Sequence, residues 1–575
     1  MQPQVVTFDE ALGMALDHHR AGRLAAAEAI YRQILAAQPN HVGALNFLGM
    51  LAHQVDRLDV AREMLSKAIS LSPDFPDAYN NLAAVLTAEG DAGGAERCYR
   101  QAISLLPGYV DAHINLGNLL WQLGRSAEAA DHCREAVRLA PDNAAAHNNL
   151  ANALAQSNDV EAAAEHYERA VALQPDFAGA HNNLANALCE MGRAAEALEH
   201  YTRAAALQPS VPDYVMNLGN ALRDLGRIPE AVAAYHRTLA LAPGSGETRW
   251  NLAMTLLLGG DYARGWDAYQ ARWETRKLAP LRRRFAVPQW DGADPAGRTI
   301  LIHAEQGMGD VIQFCRYLPL VRARGARTVL LIDSGWRQLA ALLRGLDGVD
   351  QVALDLTDVT SFDLHCPLLD LPRLFGTTLA TIPAHVPYLT PDAARRSAWR
   401  ARLAGRDPSG ATLRVGLVWA GNPNFARDRL RSPRLEPLLP LLDQPNVRWF
   451  GLQAGDGSRD LEGRALPATF CDLGPELGDF ADTAAAMAEL DLVISSCTAA
   501  AHLSGALGRP TWVLLPVAPD WRWLLERDDS PWYPTARLFR QPAVGRWDLV
   551  VERVRSDLAA LVDGDRTRLT GGAAR

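Results

Sequence analysis

The chain has 575 residues, of which 48% are hydrophobic and 21% are charged, an ordinary globular composition that predicts several folded domains. Its formal net charge of −9 gives no electrostatic support for a nucleic-acid partner or for a bilayer surface. The sequence contains just two lysines, Lys67 and Lys277. Residues 278–575 therefore cannot supply the lysine of a Walker A site, a protein kinase or a pyridoxal phosphate enzyme.

The cysteines and the first residues bear on the cellular compartment. Seven cysteines are scattered along the chain without a Cys-x-x-Cys pair, which predicts reduced thiols rather than a disulfide framework or a zinc site. The beginning of the chain lacks a basic and then apolar signal segment, and no stretch approaches 18 uncharged apolar residues. We therefore expect a cytoplasmic protein without a membrane span.

The first half of the sequence repeats with a period of 34 residues. Leucines recur at this interval at Leu48, Leu82, Leu116, Leu150, Leu184, Leu218 and Leu252. Prolines do so at Pro39, Pro73, Pro107, Pro141, Pro175, Pro209 and Pro243. A third series is Gly22, Asp56, Gly90, Gly124, Asn158, Gly192, Gly226 and Gly260, all residue types that tolerate a left-handed turn. The pattern predicts pairs of helices joined by that turn.

This period resembles the tetratricopeptide repeat, whose helical pairs stack into a superhelix with a concave groove. The resemblance covers residues 7–275 and implies an α-solenoid there. The seventh unit is rich in aromatic residues, so we expect a capping repeat that packs on the next domain. Residues 276–297 then read as a linker.

An asparagine occupies one position on the first helix of successive repeats: Asn81, Asn115, Asn149, Asn183, Asn217 and Asn251. One interpretation is that each amide bonds to a neighbouring repeat and holds the stack together. The interpretation that we favour is a binding ladder, because an amide can clamp a peptide backbone without selecting its side chains. The layout is similar to that of the O-linked N-acetylglucosamine transferases, which join such repeats to a catalytic half.

The second half alternates strand and helix patterns, which predicts parallel α/β lobes. We place an N-terminal Rossmann-like lobe at residues 298–400 and a C-terminal lobe with a closing helix at 411–565, followed by a flexible tail at 566–575. The motifs GMGDVIQF and DLVISSCTAAAHLSGALGRPTWVLL resemble glycosyltransferase family 9, the lipopolysaccharide heptosyltransferases. The resemblance implies a GT-B pair of lobes that binds a nucleotide-sugar in the C-terminal lobe.

The resemblance also implies site residues. Asp310, which closes the first glycine loop, matches the proposed general base, although an Asp there could equally cap the following helix. Glu305 is the reserve candidate, and His303 is more often a structural residue at such a position. Thr498 and His502 match the nucleotide contacts, whereas Cys497 stands where the family usually has Asp.

Further donor contacts are expected at Asn422, Arg429, Arg431, Ser432, Asp482 and Thr483. An arginine, Arg429 or Arg431, has to replace the lysine with which the family neutralises the leaving phosphate. Ligand-free surface charge is the alternative for the arginines, and helix capping is the alternative for Asp482 and Thr483. No metal or cofactor is implied.

The sequence thus predicts transfer of a sugar from a nucleotide-sugar to a protein or peptide acceptor that the repeats hold. A catalytically inactive scaffold with a degenerate transferase domain is one alternative. A transferase with a glycan acceptor, whose repeats serve for recruitment alone, is another.

Overall fold

The computed structural model describes residues 7–407, 410–411, 413–423 and 428–571. The chain divides into two compact units. One unit comprises the chain up to Met191 together with Glu199–Gln208. The other comprises Gly192–Leu198 together with the chain from Pro209 onward, and it contains both parallel sheets.

Helices in pairs make up the repeat region, as the 34-residue period predicts. Those before Pro209 are α1 (Phe8–Arg20), α2 (Leu24–Ala37), α3 (Val42–Gln54), α4 (Leu58–Leu71), α5 (Pro76–Glu89), α6 (Ala92–Leu105), α7 (Val110–Gln122), α8 (Ser126–Leu139), α9 (Ala144–Gln156), α10 (Val160–Leu173), α11 (Ala178–Glu190) and α12 (Ala194–Leu207). Those after it are α13 (Pro212–Asp224), α14 (Ile228–Leu241), α15 (Gly246–Leu258) and α16 (Tyr262–Ala268).

The turn inside each pair is left-handed at the predicted position. Every residue of the glycine series has a positive φ, including Asp56 at 59° and Asn158 at 65°, so the two non-glycine members adopt the same conformation. The alanines that follow the turns are fully buried, which lets the paired helices approach closely: Ala61, Ala95, Ala129, Ala163, Ala197 and Ala231. The sequence pattern is therefore confirmed at the level of individual backbone torsions.

The last helical pair packs into the α/β half of the second unit. A 3₁₀ helix, Tyr269–Glu274, continues α16, and Tyr262 and Trp266 belong to the same buried core as the first sheet. The Trp532 indole N–H donates to the Tyr262 hydroxyl at 3.0 Å, and the rings of Trp266 and Trp521 lie 5.2 Å apart. The expectation of a capping repeat packed on the next domain is confirmed.

The segment predicted as a linker also docks. The Trp290 N–H donates to the His365 carbonyl at 2.8 Å, and Phe285 packs on the His365 ring at 4.7 Å. Residues near Trp290 thereby extend the edge of the first sheet instead of spanning open solvent.

The first sheet is parallel, in the order β3-β2-β1-β4. Its strands are β1 (Thr299–His303), β2 (Arg327–Leu331), β3 (Gln351–Ala353) and β4 (Leu364–Pro367). Its helices are α17 (Met308–Phe314), α18 (Leu318–Ala323), α19 (Ala340–Leu343) and α20 (Leu371–Leu374). The run VIQFCRYLPLVRARG after β1 predicts one continuous helix. Instead, a 3₁₀ turn at Cys315–Tyr317 separates α17 from α18, just before Pro319, which cannot supply a helical N–H.

The second sheet is also parallel, in the order β10-β9-β8-β5-β6-β7. Its strands are β5 (Leu413–Val418), β6 (Val447–Gly451), β7 (Phe470–Asp472), β8 (Leu492–Ser496), β9 (Thr511–Leu515) and β10 (Ala536–Arg540). Its helices are α21 (Ala393–Gly405), α22 (Asp428–Arg431), α23 (Phe480–Met487), α24 (Ala499–Ala506) and α25 (Trp547–Val562). Counted from β5, this is the doubly wound 3-2-1-4-5-6 order, in which ligands bind where the order reverses, at the carboxyl ends of β5 and β8.

Two predicted boundaries differ from the described structure. Helix α21, assigned by sequence partly to the first lobe, pairs through Arg396 and Arg400 with Glu489 of the second. The tail predicted to be flexible from residue 566 is bonded to the second sheet as far as it is described, since the Trp512 indole N–H donates to the Leu569 carbonyl at 3.1 Å and Gly571 N–H donates to Ala536. Within the described ranges, no α-helix is both long and apolar enough to span a bilayer.

Candidate functional site

Asp310 lies in the first turn of α17, directly after the glycine loop that follows β1. The Gly307 N–H donates to Oδ2 of Asp310 at 2.9 Å, so this carboxylate caps its own helix. Its other oxygen, Oδ1, accepts from Nη2 of Arg522. Burial raises the pKa of Asp310, and the Arg522 charge opposes that rise. The side chain is 17% exposed, so the carboxylate remains at the margin of solvent.

Arg522 joins the two lobes at this point. Its Nη1 donates to Asp520 Oδ1 at 2.9 Å, its Nε donates to Gln313 Oε1, and its guanidinium stacks on Trp521 at 4.3 Å. The side chain is 9% exposed. Arg522 belongs to the aromatic run PDWRWLLERDDSPWYP, which suits either a cleft wall or, as we favour, core. Its Trp521, Trp523, Trp532 and Tyr533 are buried, but sequence reasoning missed the arginine. The available signal was a charged Asp-x-Arg inside an otherwise apolar aromatic run.

Helix α24 begins where β8 ends, at the carboxyl edge of the second sheet. Thr498, Ala499 and Ala500 are partly exposed there, and the Thr498 hydroxyl lies 3.2 Å from that of Ser495. Since the first N–H groups of a helix have no partner inside it, such an edge suits an anion. This is the opening at which the sequence predicts the donor diphosphate.

His502 supports α24 from behind. Its Nδ1 lies 3.0 Å from the Tyr533 hydroxyl, its ring stacks on Trp523 at 5.5 Å, and burial lowers its pKa well below the ordinary value. His502 is therefore a neutral core residue, and its side chain positions the helix from inside the protein.

The two motif-bearing helices meet. A Cβ added at Gly309 would lie 3.1 Å from His502 Cδ2 and 3.6 Å from the Ala499 Cα, so α17 packs closely on α24 and a larger residue at position 309 would press on the His502 ring. Asp310, Thr498 and His502, which the sequence places in two separate motifs, are thus brought to one junction between the lobes.

Cys497 lies beside the same junction. The Trp523 indole N–H donates to its Sγ at 2.9 Å, and burial raises its pKa to about 11. The group is therefore an uncharged thiol at neutral pH, and it supplies no carboxylate in front of Thr498.

Glu305 has to be withdrawn as the reserve base. Both of its oxygens accept from Arg272, at 3.0 and 2.9 Å, and Arg272 also donates to Asp370 at 2.6 Å. Arg272 comes from the 3₁₀ helix after the last repeat and is fully buried. Glu305 therefore anchors the end of the last repeat and cannot reach a substrate. His303 is likewise buried, with Nε2 at 3.3 Å from His365 Nδ1, so it does not face a cleft.

The loop after β5 is described in part. Ser432 is buried, accepts from the Gly421 N–H at 3.1 Å and donates to Asp428 at 2.9 Å, so it fixes the turn and is not a free ligand contact. Arg431 also donates to Asp428, at 3.0 Å, and Asn422 is exposed. Arg429 belongs to α22, but its side chain lies outside the described residues, as do residues 424–427.

Asp482 and Thr483 open α23. The Asp482 N–H donates to Asp479 Oδ1 at 2.8 Å, and the Thr483 hydroxyl donates to the Asp479 carbonyl at 3.1 Å. Arg395 also donates to Asp482, at 3.1 Å. These bonds are those of capping and helix pairing, the alternative that the sequence left open for both residues.

The asparagine ladder contains bonds between neighbouring repeats. In the first unit, Asn81 donates to Asn46 at 3.0 Å, Asn115 donates to Asn80 at 3.1 Å, and Asn183 donates to Asn148 at 3.2 Å. Asn149 accepts from Asn148 within its own repeat. Asn217 and Asn251, in the second unit, are partly exposed. The ladder thus has the stack-holding role in the first unit, and acceptor binding by the ladder stays a prediction.

Comparison with known proteins identifies the repeat region. Models of the tetratricopeptide repeat match residues 12–79, 82–144 and 216–277, and related models match 151–192 and 178–211. A curated relative, protein FlbA of Caulobacter vibrioides, is 31% identical over 335 residues, covering 53% of this chain and 54% of FlbA. The chain thus spans about half the length of the curated relative that it matches.

Solved structures also align with parts of this chain. A chain of the APC/C hetero-tetramer Cut9–Hcn1 aligns at 19% identity over 43% of this chain and 49% of that chain, with a TM-score of 0.40. YrrB, described as a TPR protein with an unusual peptide-binding site, aligns at 22% identity over 32% of this chain and 94% of its own, with a TM-score of 0.27. The family models by themselves show that tetratricopeptide repeats lie within residues 12–277, and such repeats typically bind proteins or peptides.

Proposed function

We propose that this protein transfers a sugar from a nucleoside diphosphate sugar to a polypeptide acceptor. In this proposal the two α/β lobes are a metal-independent GT-B glycosyltransferase, and the repeats hold the acceptor. The observation that carries it is the junction at Gly309, where the helix of the candidate base packs on the helix of the candidate donor site.

The reaction assigns a task to each side of that junction. The acceptor hydroxyl oxygen attacks the anomeric carbon of the sugar, the bond from that carbon to the diphosphate oxygen breaks, and its electron pair leaves with the diphosphate. The hydroxyl proton passes to Asp310. The partly exposed N-terminus of α24 would attract the diphosphate through its N–H groups and helix dipole, at the edge where the doubly wound strand order favours binding.

Positive charge at this edge comes from arginine, since the lobes contain no lysine. Arg522 and Arg431 belong to the surroundings of Cys497, because both lower the pKa of its buried thiol. A guanidinium can offer two parallel N–H bonds to a phosphate, so arginine can replace the lysine of the heptosyltransferases.

The repeats would raise the local concentration of the acceptor at the lobes, a proximity effect that requires no new chemistry. Tetratricopeptide repeats support this role as peptide-binding modules, and an asparagine amide is a side chain that can bond to a peptide backbone.

The test uses the full chain and four donors: UDP-, GDP-, ADP- and dTDP-glucose. Release of the nucleoside diphosphate is measured with water or a peptide library as acceptor. Asp310→Asn should lower the release rate about 10²- to 10⁴-fold, the usual contribution of a general base. Asp563→Asn, an exposed carboxylate beyond α25, should release the product at the unaltered rate.

If none of the four donors or their nucleoside diphosphates binds, the transferase proposal fails. It also fails if Asp310→Asn turns over as fast as the unaltered protein.

A second candidate is an interaction scaffold whose lobes have lost catalysis. Two observations favour it: Cys497 is an uncharged thiol in the motif, and both oxygens of Asp310 are already engaged. A scaffold should keep its cellular phenotype after Asp310→Asn, whereas a transferase should lose it.

A further inference from the structure

The Arg522 guanidinium is held between two carboxylates, and they come from different lobes. Asp310 belongs to the first turn of α17, and Asp520 lies on the segment that leads out of β9. Together these three groups carry a net charge of −1 beside the α24 N-terminus, because His502 and Cys497 are neutral there. As it stands, the cluster disfavours an anionic ligand at the edge that is otherwise suited to one.

The cluster also contains a buried donor without an acceptor. Gln313 is fully buried, and its Oε1 accepts from Arg522 Nε. Its Nε2, however, faces no hydrogen-bond acceptor in the described part of the chain. A buried unsatisfied amide is costly, so an arrangement of these side chains that gives it an acceptor would be favoured.

We propose that Arg522 exchanges Asp310 for the diphosphate of the donor, so that donor binding frees the base. This inference rests on the proposed function and adds a regulation of the same site. Before the donor arrives, Arg522 holds the carboxylate as an ion pair. When the diphosphate binds the Arg522 guanidinium in place of Asp310, Asp310 keeps the 2.9 Å bond from the Gly307 N–H and so stays in place.

Release from Arg522 changes the chemistry of Asp310. The guanidinium opposes the effect of burial on the carboxyl pKa, so its departure leaves burial to raise that pKa further and makes the carboxylate a better proton acceptor. The base is thus strengthened only while a donor is present, which would limit unproductive proton transfer in the empty site. Asp520 keeps Arg522 close to the junction throughout the exchange.

The exchange predicts opposite effects for the two members of the pair. In the unaltered protein the diphosphate must compete with Asp310 for Arg522. Asp310→Asn removes that competitor and should tighten binding about three- to tenfold, although the same variant loses turnover. Arg522→Lys, which cannot form two parallel bonds, should weaken binding at least about tenfold.

The experiment is calorimetric titration of the full chain with UDP, GDP, ADP and dTDP. The matched control is Arg272→Lys, because Arg272 is also a buried guanidinium between two carboxylates but bonds to Glu305, Asp370 and the Tyr269 carbonyl. It should bind nucleotide as the unaltered protein does. Melting of each variant without nucleotide shows whether it is folded, and the near-isosteric Asp310→Asn decides the outcome if Arg522→Lys does not fold.

The outcomes separate the two proposals. Absence of nucleotide binding to the unaltered protein overturns the proposed function, and this inference with it. If nucleotide binds but Asp310→Asn leaves the affinity unchanged or weakens it, the exchange is wrong while the transferase proposal stands. Unchanged affinity in a folded Arg522→Lys variant also overturns the exchange. Tighter binding in the first variant together with weaker binding in the second supports it.

Discussion

The carboxyl edges of the two parallel sheets offer the same topological crevice, yet different side chains lie at each of them. At the first sheet, Arg272 from the end of the repeats fills the edge and is fully buried against Glu305 and Asp370. At the second sheet, the start of α24 at Thr498 and Ala500 is partly exposed. The strand order alone would suggest two ligand sites. The side chains show that Arg272 attaches the end of the last repeat to Glu305 and Asp370 at the first edge, beside the partly exposed loop of Asp310, whereas nothing comparable is described over the start of α24 at the second.

The largest expected effect comes from breaking the filled edge. Arg272→Met leaves two buried carboxylates without their cation, which should lower the free energy of unfolding by about 3–5 kcal/mol. Denaturant unfolding of the full chain measures this. The exposed pair of Arg264 with Asp261 supplies the control, since Arg264→Met should change stability by less than about 0.5 kcal/mol. Equal effects for the two variants would mean that the edge is not an anchor.

A smaller effect is expected from a charge placed at the open edge. Ala500→Glu should weaken nucleoside diphosphate binding at least about tenfold, or about 1.4 kcal/mol, because it puts a carboxylate where the anion is expected. Stability should be unchanged or slightly higher, since acidic residues suit a helix N-terminus. Ala500→Gln has the same length without the charge and should bind normally. If the Glu and Gln variants bind nucleotide equally well, the open edge is not the anion site.

The smallest expected effect is the loss of stability at acid pH that comes from His303, at the end of β1. Burial lowers the pKa of His303 to about 3, with His365 and Arg283 adding to the effect, whereas an unfolded histidine titrates near 6.5. Below about pH 6.5 the unfolded chain therefore binds the extra proton, so stability present above that pH is lost as the pH falls towards 3.

The loss should reach at most about 1.4 kcal/mol per pH unit for this one group. Denaturant unfolding between pH 7 and 5 should give a steeper decline for the unaltered protein than for His303→Gln. Parallel declines would show that His303 does not titrate on unfolding.

The repeat region could be predicted almost to the torsion angle because the information repeats. Eight turn positions specify the same left-handed geometry, and the structure has a positive φ at each of them. In the lobes, the sequence predicts most strands and the two motif helices, but it misses β7 and β10 and joins α17 to α18. These short elements depend on tertiary packing, which outweighs local preference.

The candidate site was harder to predict for a related reason. Arg522 and Asp310 lie 212 positions apart in the chain, and Arg272 and Asp370 lie 98 apart. No local sequence pattern encodes such pairs. The sequence therefore predicts Glu305 as a reserve general base, although it is the ion-pair partner of Arg272. Asp310 and Thr498 could be proposed because each belongs to a motif that resembles a known family, and the resemblance implies which residues lie close together in the fold.

The burial of Tyr262, Trp266 and Arg272 among the α/β side chains matters for protein engineering, where the repeats of one protein are joined to the α/β lobes of another. A fusion point within residues 276–297 would remove those three side chains from the core and leave an unfilled cavity in the α/β lobes. The compact units separate near Pro209. Foreign repeats should therefore be fused at that point, so that the last two repeats stay with the lobes on which they pack.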